Sequence, residues 1–433
     1  MKKILLISTI LILVLLVVGA ALYIYLPIGD VDPETGEVVT VRDYFPIAQD
    51  VPNDTPASEP DPAGDQFGGT GTSTPTGTAA PREHQMPALR QLSTEPIAGA
   101  VAFSQTYQAG TSTREYTAVR FVDRASGHIS EARSDGPETA KIVNETNSKV
   151  VDAIWTSPDS VVLRTIDRGS DSFSSLLLTI QAERSTSTRL RDVTGTFMGN
   201  AIRAIVPAPS GGRVAQTQGV AGEENEGGVS VSIGRPGEAQ SLLHTSSLSG
   251  WALSWPTQSA LLLATDPAAG IPGYLYQLST QTGALTRILG GVPGLTASMN
   301  PAGNVILYSE SDGRGLRLFA YSRNTGESMP FPVSTLPEKC VWSRSEESVV
   351  YCGAPLHVPN SRYPDHWYQG RVSFEDRLVR LNTTTGRSEE LGVLSAKIEG
   401  GADVVDPFLG PNEEYLFFTN KKDGTLWSYR LSD

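Results

Sequence analysis

A hairpin unit that returns about every 45 residues constrains this chain more than any other feature. Each copy is an apolar strand, a polar or proline-bearing turn and a second apolar strand. The copies read "AIWTSPDSVVLR", "AIVPAPSGGRVAQT", "LSWPTQSALLLAT", "ASMNPAGNVILYS", "CVWSRSEESVVYC" and "PFLGPNEEYLFFT". The matching turn residues are Pro158, Pro209, Pro256, Pro301, Arg344 and Pro411, so successive units lie 51, 47, 45, 43 and 67 residues apart. Four of these intervals are close to the length of a four-stranded propeller blade. No long helical period interrupts the strands, so the class is all-β.

A second hairpin follows the first in several units: "GYLYQLSTQTGALTRIL", "LRLFAYSRNTGESMPF" and "RLVRLNTTTGRSEEL", each a strand, a polar turn ending in Thr-Gly and another strand. "VRFVDRASGHISEA" is a looser, earlier copy, and with "PIAGAVAFS" it makes a seventh unit. The last unit ends after "TLWSYRLSD", its third strand, and "ALRQLS" (88–93) has the pattern of the missing fourth. The expectation is a seven-bladed β-propeller over 88–433, closed by that N-terminal strand. Six or eight blades stay open as alternatives because the third unit is weak.

The "SPD" turn at Ser157, Pro158 and Asp159, and above all "NPAGNVILYSESDGRGLRLFAYSRNTGE" (300–327), resemble the repeats of TolB-like β-propellers. The likeness is of repeat pattern over about 345 residues. It implies a propeller fold. That family hosts envelope scaffolds and peptidase-associated domains, so the likeness carries no catalytic residue with it. The weak third unit and the enlarged sixth depart from the pattern.

Two segments precede the repeats. Ile4 to Leu26 carries no charge, and at 1.5 Å per residue it gives roughly 35 Å of helix, enough to cross a bilayer core. Lys2 and Lys3 on one side and acidic residues on the other set a cytoplasmic N-terminus with the bulk of the chain outside. A cleaved signal peptide with its site at Gly19-Ala20-Ala21 is the alternative. The apolar run continues through Leu22, Ile24 and Leu26, so residues 1–27 are expected to be a retained single-pass anchor in the cell membrane. Residues 28–87 are rich in Pro, Gly, Thr and Asp and are expected to be a disordered linker. Eleven acidic residues there against Arg42 and Arg82 hold about −9 of the chain's net −13. "VRDYFPI" (41–47) is apolar enough to dock, or to lie at the lipid surface. No basic stripe is present, which excludes nucleic acid as a partner.

Cys340 and Cys352 are equidistant from the turn of the sixth hairpin, so antiparallel pairing sets them opposite each other. A structural disulfide is expected in an oxidising compartment, with two buried free thiols as the alternative.

No short catalytic motif occurs: there is no Gly-x-Ser-x-Gly elbow, His-Glu-x-x-His or phosphate-binding glycine loop. His357, His366 and Asp365 lie near one another in sequence but match no metal-ligand spacing, so no metal and no cofactor is expected. On this ground the chain is expected not to be an enzyme. About 20 extra residues (354–375) account for the long interval in the sixth unit and contain "YPDHWYQG" (363–370). Tyr363, Asp365, His366, Trp367 and Tyr368 are the candidate binding residues, because inserted loops and amphipathic aromatics favour contact surfaces. The loop can equally pack on its own blade. The expected function is a protein–protein interaction or scaffolding module of the cell envelope. The alternatives are recognition of a cell-wall or surface glycan and a hydrolase or lyase using the central cavity.

Overall fold

A computed structural model of the chain describes residues 86–109, 111–166, 173–182, 190–199, 202–219, 228–312 and 315–431. The anchor and linker expected over 1–27 and 28–87 lie outside these residues, apart from Met86 and Pro87. Among the described residues no helix is long and apolar enough to cross a membrane.

The strands form seven four-stranded antiparallel sheets, the blades of a propeller. Blades 1 to 6 take their strands consecutively from residues 97–143, 150–199, 202–246, 251–293, 296–330 and 340–393. Blade 7 takes three strands from residues 404–430, and its outer strand is Leu89–Gln91. That strand runs antiparallel to Leu426–Arg430 with Leu89 opposite Tyr429 and Gln91 opposite Trp427. The Leu92 amide donates to the Leu426 carbonyl at 2.7 Å, extending the pairing past the strand end.

The first strands of successive blades adjoin one another around the axis. Apolar side chains fill the space between neighbouring sheets. Val122, Ile129, Val150, Trp155 and Leu178 join blades 1 and 2, and Val349, Leu378, Val404 and Phe418 join blades 6 and 7. Burying both faces of each blade gives the strands of this ring their continuous apolar runs.

The recurring glycine turn has one local cause. In five hairpins a Ser, Asp or Asn four residues before the glycine accepts backbone amides of the turn: Asp123, Ser279, Ser322, Asn382 and Asn420. The glycine closes the turn at φ between 68° and 74°, where only a residue without Cβ is unstrained. In blades 4, 5 and 6 this turn joins the third and fourth strands. In blade 1 it joins the second and third, so "VRFVDRASGHISEA" is a different hairpin from the copies it resembles.

Cys340 and Cys352 are paired in register and form a disulfide with Cα atoms 4.1 Å apart. The bond crosses the inner hairpin of blade 6.

Candidate functional site

The insertion occupies residues 356–375, between the second strand (Val349–Pro355) and third strand (Asp376–Asn382) of blade 6. It therefore emerges on the face of the ring that also carries the 123–127 and 420–424 turns of blades 1 and 7. Its one helical turn, α1 (Asp365–Tyr368), is held by a buried charge network. The Asp403 carboxylate accepts from Trp367 Nε1 at 3.0 Å, from the Phe374 amide at 3.0 Å, from Ser373 Oγ at 3.2 Å and from Lys339 Nζ. Lys339 also lies 2.8 Å from Asp376, and all three charged side chains are fully buried. Burial pushes the Asp376 carboxyl up to about 6, against the pull of Lys339.

Tyr363 and Trp367 are only 0% and 2% exposed and stack with Phe374. Burial raises the Tyr363 hydroxyl to about 12. Asp365 and His366 are half-buried: Asp365 Oδ2 accepts the Ala269 amide of blade 4 at 2.6 Å, and His366 Nδ1 shares a hydrogen bond with Ser361 Oγ at 2.7 Å. His357 is exposed, away from these bonds. Tyr368 alone of the five candidates is largely exposed, at 45%, and its hydroxyl donates to Glu338. The aromatic pair at the centre of the loop is therefore its packing anchor, and Tyr368 is the member presented to solvent.

Lys421 connects this loop to a cavity. Its Nζ donates to the Trp367 carbonyl and lies 4.4 Å from the centre of the Trp367 ring. Burial lowers its pKa, with Asp403 opposing and Lys339 assisting. On its other side Lys421 lines a cavity of about 440 Å³ bounded by the first strands of blades 7, 1 and 2. The approach of blades 1 and 2 there is close: a Cβ on Gly99 would stand 2.2 Å from the Ala153 carbonyl oxygen.

The cavity holds Asp406, Asp152 and Arg124 as well as Lys421. Asp406 sits in a register break of the innermost strand of blade 7, between Val405 and Phe408. Its φ of 48° is left-handed, in a position before proline where an extended backbone is normal. Such a conformation costs on the order of 1–3 kcal/mol and persists where the surroundings enforce it, often at working sites. The carboxylate reaches solvent through the cavity but is ringed by protein. Protein crowded around the carboxyl of this otherwise exposed residue, with the Asp152 charge, pushes its pKa up to about 6 against the opposing influence of Arg124. Burial raises Asp152 too, while Arg164, 3.8 Å away, pulls it down. Arg164 is itself fixed by bonds to the carbonyls of Ile202 and Arg203 at 3.1 and 2.8 Å. The result is a carboxyl with a proton to give near neutral pH, facing a second carboxyl whose proton affinity burial also raises, against the pull of Arg164.

These residues are far apart in the chain, so no linear motif exposes them. One weak signal exists: Val-Asp opens the first strand of blade 2 (Val151-Asp152) and of blade 7 (Val405-Asp406), placing an acid where the other first strands are apolar or small.

No known family profile matches the chain. No curated protein matches it either. Solved structures similar to it include a puromycin-hydrolysing peptidase of Mycobacterium tuberculosis, 14% identical over 73% of this chain and 50% of that one, with a TM-score of 0.38. An oligogalacturonate lyase in complex with manganese is 9% identical over 78% and 99%, with a TM-score of 0.47. The β-propeller domain of the trilobed protease of Pyrococcus furiosus is 10% identical over 77% and 98%, with a TM-score of 0.46. The chain spans half the length of the puromycin-hydrolysing peptidase. The chain's own seven four-stranded sheets show the propeller fold; the TolB likeness rests on the repeats' residues alone. The expectation of a non-enzyme is withdrawn: it rested on the absence of a short motif, and residues gathered from three blades leave no such motif to find; peptidases and a lyase are among the similar structures.

Proposed function

We propose that this propeller is an acid–base enzyme, a hydrolase or a lyase, working in the cavity between blades 7, 1 and 2. The observation that carries the reading is Asp406, a strained carboxyl raised to about 6 and facing Asp152 across that cavity. Two coupled carboxyls that line one cavity suit one group donating a proton while the other accepts one. Asp406 is the proton donor. Asp152, oriented beside Arg164, is the acceptor. Lys421, pinned by the Trp367 carbonyl, supplies a fixed positive charge for negative charge developing on the substrate. The insertion's task is then to hold Lys421.

The test is a turnover screen of the purified full chain against chromogenic esters, peptides and glycosides. Activity that falls about 100-fold or more in Asp406→Asn and in Asp152→Asn, the range set by losing a general acid or base, supports the assignment. Activity retained in both variants would move the chemistry elsewhere.

We further propose that the pairing of Leu89–Gln91 with blade 7 closes the ring, and that residues 1–27 anchor the protein in the cell membrane with the propeller outside the cytoplasm. The uncharged run Ile4 to Leu26 and the flanking Lys2 and Lys3 support the anchor. A contact with an envelope protein or a glycan through the insertion would fall mainly to Tyr368.

A further inference from the structure

The outer strands of blades 5 and 7 have three residues each, where those of the other blades have five to nine. A strand that short leaves the outer part of the cleft toward the next blade uncovered. A cavity of about 860 Å³ opens between blades 5 and 6, and one of about 530 Å³ between blades 7 and 1. The two differ in what their polar groups are free to do. In the first, hydroxyls are spent within the fold: Ser322 Oγ accepts the Thr325 amide, Ser328 Oγ the Tyr308 hydroxyl and Ser348 Oγ the Asn382 side-chain amide. In the second, Gln91, Thr94, Glu95, Ser130 and Thr139 make no side-chain hydrogen bond among the described residues.

The cleft between blades 7 and 1 has an apolar floor and two polar walls. Leu92, Ile97 and Phe121 make the floor and are buried, so core packing fixes it. On blade 1, Phe121 lies opposite Ser130 and Ser130 opposite Lys141, on three adjacent strands. Directly opposed side chains share a face, so Ser130 and Lys141 continue the floor outward as one wall. Lys141 Nζ donates to His128 Nδ1 at 2.8 Å and to Asn144 Oδ1 at 3.4 Å, which leaves one of its three protons for a ligand. The other wall is the segment 91–95, with Gln91, Thr94 and Glu95. Ser93 fixes it, accepting the Leu426 amide at 2.8 Å and donating to the Glu95 carbonyl at 2.9 Å.

This lining discriminates between classes of ligand. Glu95 and Asp123 oppose an anion, and Lys141 opposes a cation. A carboxylate that only accepts, an ammonium that only donates, and hydroxyls and an amide that do both match a ligand whose own groups each donate and accept. A neutral polyhydroxylated ring has that character, and its C–H face suits the apolar floor. The volume falls within the roughly 300–1,000 Å³ of small-molecule sites, with room for a mono- or disaccharide. We propose that the cleft between blades 7 and 1 binds a neutral saccharide. The site stands apart from the acid pair, sharing only Ile97 with that cavity, and apart from the insertion.

The test is saturation-transfer NMR on the full-length chain with D-glucose, D-galactose, D-mannose and N-acetyl-D-glucosamine at millimolar concentration, and with D-glucuronate as the charged probe. At least one neutral sugar should receive saturation, most strongly at the C–H protons of one ring face. Glu95→Ala combined with Lys141→Ala should weaken that binding about tenfold or more, the loss expected for hydrogen bonds to charged groups. The melting temperature should hold, because both side chains are exposed. Tyr368→Ala, on the insertion, and Asp406→Asn, in the acid cavity, should bind the sugar as the parent chain does. The proposal is overturned by no transfer to any of the four sugars, by affinity kept in the double variant, by binding lost in either control, or by glucuronate binding more tightly than every neutral sugar.

Discussion

Asp406 holds its backbone at a φ of 48° immediately before a proline, and it also holds a proton more tightly than an aspartate should. Both properties cost stability and both turn a carboxyl into the cavity. The folded pKa of about 6 lies above the ordinary value of 3.8, so between these values the native state binds more protons than the unfolded chain. Stability from this group therefore falls as pH rises through that window, and the loss is complete above it. Asp406→Asn should raise the melting temperature near neutral pH, and the advantage should fade as the pH is lowered through 6 toward 4. Melting curves of both proteins across that range check the sign; a variant less stable at neutral pH would contradict the raised pKa. Trp367 makes the opposite case. Trp367→Ala removes a buried ring and one donor to Asp403, and should cost about 3–5 kcal/mol by denaturant unfolding; an unchanged midpoint would mean that the ring does not anchor the loop.

The insertion is an element whose shape comes from charge rather than from strand pairing. Asp403 draws Trp367, Ser373 and Phe374 together because its buried carboxylate has to be satisfied. Asp403→Ala leaves Lys339 with Asp376 and the Val404 carbonyl and frees the Phe374 amide. Hydrogen exchange should then show protection lost over 363–374 while the strands of blade 6 keep theirs; retained protection would show that apolar packing suffices. The inner hairpin of blade 6 carries the other cross-link. Reducing the Cys340–Cys352 bond should cost roughly 2–3 kcal/mol on the chain-entropy account of a short loop, read as a shift in urea midpoint with and without reductant. Elements of this kind differ in how far the sequence exposes them. The hairpin turns, the blade count and the cysteine pair follow from local periodicity and turn chemistry, which act within a few residues. The packing of Tyr363 and Trp367 does not follow, because Asp403, which holds the Trp367 ring, is 36 residues further on, at the start of blade 7.

At the scale of the whole ring, the proposed site lies where the first strand of blade 7 adjoins those of blades 1 and 2. Asp152 and Asp406 are over 250 residues apart in the chain and line one cavity. That is why the fold was legible from repeats while the cavity was not: a repeat predicts what each blade shares, and the site consists of what two blades do not share with the rest. Blade 7 takes its outer strand from Leu89–Gln91. Removing residues 86–93 should expose the edge of Leu426–Arg430 and make the protein aggregate on mild heating, as light scattering would detect. The most direct test of the central claim needs no substrate: the titration of the Asp406 carboxyl followed by NMR in the full chain and in Asp152→Asn. A midpoint near 6 that falls when the Asp152 charge is removed is the predicted result; a midpoint at the ordinary aspartate value of about 4 in both proteins would contradict it.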